Sequence, residues 1–256
     1  MTAPTQTYPA LELTAAPANP VATGTLYSAA TLRDLASPAR IDGGARIEQI
    51  NDGEAHGVWP LDCPTPGDVG EKSGERAGAL TFPAFAVWAV DHCSLVGTSE
   101  DEARERAAQR LRLTEQVDVG REFSATLLDR AGAPATAASV KVALGSLEEW
   151  LGDLGLRGVI HAPRRLFPLL NGFVERGANG RLETKLGTAW AFGPGYGDLG
   201  DTLVATGPVT IYRTPVEQTI GLAVRQNERT ALAEREVLPT FEVAAMAHQI
   251  TTGDTP

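Results

Sequence analysis

The chain has 256 residues, 43% hydrophobic and 21% charged, the composition of an ordinary soluble protein of one large domain or two small ones. A formal net charge of -10 excludes a nucleic-acid-binding face spread over the whole surface, and no apolar run approaches the roughly 18 residues of a helical membrane span. Two cysteines, Cys63 and Cys93, without CxxC spacing exclude a disulfide scaffold and point to a reducing compartment. Arginine carries nearly all the positive charge, since Lys72, Lys141 and Lys185 are the only lysines. Its planar fork suits fixed pairs with carboxylates.

The first 20 residues, MTAPTQTYPALELTAAPANP, show neither the basic nor the apolar region of a signal peptide. Pro4, Pro9, Pro17 and Pro20 prevent regular structure, so residues 1 to about 27 are expected to form an extended arm. Tyr8, Leu11, Leu13 and Leu26 are anchors that a purely solvated tail would not need. Ser28 to Ala36 is expected as a short helix ending before Pro38.

From Ile41 to Val90 the pattern turns strand-like: ARIEQI alternates, and GVWPL and LTFPAFAVWAV are β-branched and aromatic. Between them CPTPGDVGEKSGERAGA has glycine, proline and charge but nothing to bury, longer than a loop inside a compact domain. The expectation is a two-stranded arm projecting from the body.

Ser99 to Leu128 reads as one charged helix, about 45 Å long if unbroken. Ser99 and Glu102 form a capping-box pattern, and Glu102 and Arg106 an ion pair at i,i+4. The apolar stripe is thin (Ala103, Ala107, Leu111, Thr114, Val117), and beyond Gly120 a second side appears with Val119, Phe123 and Leu127. The first half is expected as a surface rod, the second as a rod gripped on two sides, with Gly120 a possible bend.

After Gly132-Ala-Pro134, Ala137 to Leu154 is a core-facing helix, with Val140, Leu144, Leu147, Leu151 and Leu154 on one face. GVIHAP is a short buried strand, RRLFPLLNGFV a helix interrupted by Pro168, and Ala-Asn-Gly a turn in ERGANGRLET. TAWAF, VTIYR and TIGLAV are strands, and the tail from Arg225 to Ile250 mixes a strand with the apolar TFEVAAMAHQI. Helices on a mixed sheet give the α+β class.

Catalytic chemistry is thin. His56, His92, His161 and His248 show no metal-ligand spacing. Asp91-His92-Cys93 invites a Cys/His hydrolase reading, but no nucleophile motif surrounds it. GPGYGDLG, Gly193 to Gly200, is followed by a strand instead of the helix a phosphate site needs. No catalytic, cofactor or metal residue is assigned. Arm, loop and thin helix all ask for partners.

The order of pieces resembles the major capsid proteins of tailed phages, of the Hong Kong 97-type fold also found in encapsulin shells. The resemblance rests on FPAFAVWAVDHCSLVGTSEDEARERAAQRL, a loop return leading into a spine helix; on GLRGVIHAPRRLFPLL, GRLETKLGTAWAFGPGYGDLG and ATGPVTIYR, similar to the axial domain of actinobacterial-phage capsids; and on VRQNERTALAEREVLPTFEVAAMAHQI, similar to a return through the peripheral domain. It implies an N-terminal arm at 1-40, an extended loop at 41-92, a peripheral domain at 93-135 and 214-256 with the spine helix at 99-128, and an axial domain at 136-213. It implies a virion subunit, assembled in the host cytoplasm, that forms hexamers and pentamers of an icosahedral head enclosing DNA without sequence-specific binding. Scaffold and decoration proteins are the further partners it implies. Glu71, Lys72, Glu75 and Arg76 fall in the loop expected to contact a neighbouring subunit, and Gly193, Gly195, Tyr196 and Gly197 in the loop expected near the capsomer axis. Some relatives crosslink a loop lysine to an asparagine; Lys72 and Asn227 match no definable motif for this, and the crosslink is not carried over. An encapsulin-like compartment and a head–tail connector or tail-tube protein are the alternative readings. The Pro-rich start counts against the first, and the length of the spine helix against the second.

Overall fold

A computed structural model describes residues 15–36, 40–53, 56–59, 61, 71–243 and 245–251. The anchors Tyr8, Leu11 and Leu13 and the loop residues 62–70, Cys63 among them, lie outside these residues.

The N-terminal segment folds locally first. Thr25 caps the one-turn helix α1 (Leu26–Ala29): its Oγ1 accepts from the Ser28 N–H at 3.2 Å while Ser28 Oγ accepts from the Thr25 N–H at 2.9 Å. The helix expected over Ser28–Ala36 is not formed. Residues Thr31–Asp34 are instead strand β1, paired parallel with Thr210–Arg213. Inter-strand hydrogen bonds outweigh the weak helical pattern of so short a segment.

The two-stranded arm is confirmed at its root, where β2 (Ala45–Glu48) pairs antiparallel with β3 (Ala79–Phe82). The apolar run LTFPAFAVWAV does not stay in one strand: it breaks at Pro83 and continues as β4 (Phe85–Ser94), which joins the body. The root is pinned to the body at several points. Glu242 accepts the Ile50 and Asn51 amides and the Asn51 side-chain amide, and Phe82 packs edge-on against Phe241 at 5.0 Å.

Helix α2 runs unbroken from Glu100 to Ala131, through Gly120 and three residues beyond the expected end. Ser99 Oγ accepts from the Glu102 N–H at 3.1 Å, and the Glu102 carboxylate turns to Arg106 at 2.5 Å, so half of the expected capping box forms. The buried positions step by four: Ala103, Ala107, Leu111, Glu115, Val119, Phe123, Leu127. A step of four residues overshoots one helical turn by about 40°, so six steps carry the stripe about 240° around the helix. The two sides seen in the sequence are one stripe that winds. Its first half is not a surface rod. Ala103 and Ala107 are fully buried in the same cluster as Ala231 and Ala233, small residues that let helix and sheet approach.

Beyond α2 come β5 (Ala135–Ala137), α3 (Val140–Asp153) and β6 (Val159–Pro163), α3 capped by Ser139 Oγ on the Val142 N–H. The third helix is broken into a 3-10 turn (Arg164–Leu166), one α-turn, α4 (Phe167–Leu170), and another 3-10 turn (Asn171–Phe173). Then follow β7 (Glu175–Arg176), β8 (Leu182–Glu183), β9 (Ala189–Gly193), a 3-10 turn (Tyr196–Leu199), β10 (Thr202–Thr206), β11 (Val209–Arg213) and β12 (Glu217–Ala223). A last 3-10 turn (Val224–Gln226) leads to β13 (Glu228–Phe241) and β14 (Met246–Ile250).

Two sheets result. In the first, β13 is flanked by β4 on one side and by β11 and β12 on the other, with β1 added outside β11. The second has order β5-β14-β10-β6-β9-β8-β7. Its central strands are buried on both faces: Val159, Ala191 and Val204 join the core around α2, while Ile160, Trp190 and Leu203 join the core under α3. β4 pairs with β13 in the first sheet, and β14, near the far end of the chain, lies between β5 and β10 in the second.

Candidate functional site

The glycine loop and the N-terminal segment both pack against α2, so its surroundings are described first. Against its middle lies the glycine loop. A Cβ on Gly120 would sit 2.1 Å from the Pro194 carbonyl oxygen, and one on Gly195 would sit 2.1 Å from the Val117 carbonyl oxygen. Helix and loop therefore touch backbone to backbone, which only a glycine on each side permits. Gly195 also has φ +90°, a left-handed conformation that glycine adopts without strain.

This loop was expected near a capsomer axis; within the single chain much of it is seated against α2. Tyr196 and Gly193 are buried and Gly195 is half-buried; Gly197 faces outward. Tyr196 begins a buried polar chain. Its hydroxyl lies 3.0 Å from His161 Nδ1, and His161 Nε2 lies 3.0 Å from Thr206 Oγ1, which donates to the Gly207 carbonyl at 2.9 Å. With the Thr206 proton committed to Gly207, Nε2–H donates to Thr206 and Nδ1 accepts from Tyr196. Burial pushes the His161 pKa down to about 3, and raises that of the Tyr196 phenol well above its ordinary value. His161 is thus a neutral structural pivot, packed edge-on against Phe123 of α2 at 5.7 Å.

A second polar cluster was missed from the sequence. Glu115 occupies a buried position in the winding stripe. Its carboxylate accepts from the Tyr27 hydroxyl at 2.7 Å and lies 3.4 Å from both Arg213 and Arg235. Arg213 also forks onto Asp34, Nε to Oδ1 at 2.8 Å and Nη2 to Oδ2 at 2.9 Å. Burial works against the Arg213 charge, but Glu115 and then Asp34 outweigh it and hold its pKa above the usual value. Burial first and Glu115 second raise the Tyr27 phenol well above its ordinary range. One carboxylate thereby ties the N-terminal segment to α2, β11 and β13. Nearer the terminus, Gln109 donates to the Ala18 carbonyl at 2.6 Å and Arg112 to Asn19 Oδ1 at 2.5 Å. The segment from 15 to 34 is a strap laid over the helix. The available signal was a glutamate at a step-of-four position between Leu111 and Val119.

The loop residues are where an outward contact could use them. Glu71, Lys72, Glu75 and Arg76 are all exposed. Arg76 pairs with Glu48 at 2.9 Å, and Lys72 Nζ sits 4.9 Å over the Trp59 ring. Val58 and Leu61 nearby are 97% and 96% exposed, apolar surface with nothing on it. The structure does not bring Cys93 and His92 together. They are neighbours on β4, where successive side chains point to opposite faces. Cys93 packs toward the α2 core, while His92 is exposed beside Thr230 at 2.9 Å and Glu228 at 3.4 Å. Among the described residues no three His, Cys, Asp or Glu side chains gather as metal ligands, and no helix is long and apolar enough to cross a membrane.

No protein-family model and no curated protein matches the chain. Solved structures do. The chain is similar to the asymmetric unit of the bacteriophage PhiM1 mature capsid, at 13% identity and a TM-score of 0.54 over 96% of this chain and 93% of that one. It is similar to the capsid of the native GTA particle at 12% identity and TM-score 0.56, covering 95% and 96%. A third is the structure of Mycobacterium phage Adephagia, at 11% identity and TM-score 0.53, covering 95% and 93%. The α+β fold is that of these Hong Kong 97-type capsid proteins.

Proposed function

We propose that this protein is the structural subunit of a phage-type head, self-assembling into the hexamers and pentamers of an icosahedral shell around a DNA genome. The observation that carries this is the extent of the fold correspondence: it spans at least 93% of each chain for proteins described as phage and GTA capsids. In this reading the strap with residues 1-40 is the N-terminal arm, the β2–β3 hairpin and its loop are the extended loop, α2 is the spine, the first sheet is peripheral and the second is axial. The exposed Glu71, Lys72, Glu75 and Arg76 contact a neighbouring subunit. At the capsomer axis, Gly197 is the part of the glycine loop free to meet its symmetry mates. Scaffold and decoration proteins are additional partners of the assembled virion.

The test is to express the full chain alone and image the product by electron microscopy. Closed shells or capsomer-sized rings are the expected result. A monodisperse monomer at high concentration overturns the reading.

A further inference from the structure

The sequence holds four Asp–Gly or Asn–Gly pairs, beginning at Asp42, Asp52, Asn171 and Asn179. In each, the glycine has no Cβ to shield its amide nitrogen, which can attack the preceding side-chain carbonyl carbon wherever the backbone brings the two together. Among the described residues only Asp52 accepts a hydrogen bond from the amide that follows it, Gly53 N–H donating to Oδ1 at 2.9 Å. Gln49 Nε2 donates to Oδ2 at 2.5 Å and fixes the carboxyl rotamer. Nitrogen and carboxyl are thus held side by side, and Gly53 is open to solvent at φ +119°. The two asparagine pairs are arranged otherwise. Gly180 N–H donates to the Gly177 carbonyl at 2.9 Å and Asn179 Oδ1 accepts from Arg181 N–H at 2.9 Å, so both groups are engaged elsewhere. Asn171 stands at φ -56° and ψ -31°, in a helical turn from which a five-membered ring does not close.

We propose that Asp52–Gly53 is a self-modification site, where the chain rearranges from aspartate to isoaspartate through a cyclic imide. The Gly53 nitrogen bonds to Asp52 Cγ and loses its proton, while the carboxyl, in its protonated form, gives up its hydroxyl; the two leave as water. Water then adds to either carbonyl of the ring. Opening at Cγ restores aspartate. Opening at the Asp52 main-chain carbonyl breaks its bond to Gly53 and leaves the chain running through Cγ. No atom is gained or lost overall, but the main chain is longer by a methylene. The change falls next to Asn51, whose amide, with that of Ile50, is held by Glu242 at the root of the arm. Isomerisation therefore slackens that anchor, whatever the chain assembles into.

The test incubates the full chain, folded and guanidinium-unfolded, in near-neutral heavy-oxygen water. Ring opening at each pair is read by mass spectrometry as heavy oxygen in its peptide, and electron-transfer fragmentation separates isoaspartate from aspartate. Folding is expected to leave conversion at Asp52 at least as fast as in the unfolded chain, and to slow the Asn171 and Asn179 pairs about tenfold. Asp52→Glu, which would need a larger ring, is expected to remove the heavy oxygen from the Asp52 peptide. Label that survives this substitution, or folding that slows Asp52 as much as Asn179, overturns the assignment. Chain that has accumulated isoaspartate is expected to be cut by trypsin after the exposed Arg76 about threefold faster than fresh chain, and equal rates overturn the slackening of the anchor.

Discussion

Gly120 provides the most decisive perturbation, because two effects of known sign compete there. Alanine in place of glycine inside a helix normally stabilises by about 1 kcal/mol. At Gly145, in the exposed face of α3, nothing lies within 4 Å of the added Cβ, so Gly145→Ala should show that gain in full. At Gly120 the same Cβ would lie 2.1 Å from the Pro194 carbonyl oxygen, against 3.4 Å or more for ordinary contact. The obstacle is backbone, so no rotamer change relieves it, and pressing the loop outward also disturbs the close approach of Gly195 to Val117. Overpacking of this kind costs about 1–3 kcal/mol, and more when backbone must move. Gly120→Ala is therefore expected to destabilise by about 1–2 kcal/mol net, and the two variants to differ by about 2–3 kcal/mol. Urea unfolding of the unassembled subunit measures both, with an unchanged slope showing that the unfolded state is comparable. A Gly120→Ala protein as stable as Gly145→Ala would refute the backbone joint between spine and loop.

Three more outcomes are expected. His161 is held neutral in the fold, so the unfolded chain binds more protons below pH 6.5; its contribution is complete above that pH and is lost as pH falls toward about 3. At pH 4.5 the loss is about 3 kcal/mol relative to pH 7, read as the difference in acid-limb slope between the parent and His161→Asn; parallel slopes would show that His161 does not titrate this way. Glu115→Gln leaves Arg213 and Arg235 without their buried counter-charge and should cost about 3 kcal/mol in unfolding free energy, with earlier proteolysis of the strap; an unchanged stability would mean the arginines find water instead. Deleting Pro66 to Gly78 should leave the subunit's thermal unfolding intact while abolishing particles by electron microscopy. An unfolded product would show the loop to be part of a core.

How much was legible depends on how local each signal was. Ser99, the acidic first turn and the long charged run announced α2, because capping and helix-surface pairs involve residues three or four apart. The apolar face of α3 was equally plain: of the five residues read on it, Leu144, Leu147 and Leu151 are buried and Val140 and Leu154, at its ends, are half-buried. The loop arm was recognisable from composition alone, since nothing in it could form a core. Less legible was the face α2 would use. A stripe with a period of four drifts around the helix, and a window tuned to one fixed face reads it as two weak faces. The Glu115 cluster was invisible for another reason: its partners lie 88, 98 and 120 residues away in sequence. The packing of the glycine loop on α2 was not legible, because glycines that allow wide turns are also those that allow two backbones to touch.

By itself the sequence determined the class of the long elements, the Ser99 cap that starts α2, the projecting arm and the resemblance of the whole order to a capsid chain. These follow from propensities and periodicities that act within a few residues. Tertiary structure alone decided that Thr31–Asp34 is a strand, that β14 lies between β5 and β10 in the second sheet, that Gly120 and Gly195 are a joint and that Glu115 is a latch. Each of those depends on a surface supplied by a distant part of the chain. A four-residue segment takes the conformation whose hydrogen bonds its neighbour can complete, and a buried carboxylate is tolerable only where arginines have been folded in beside it.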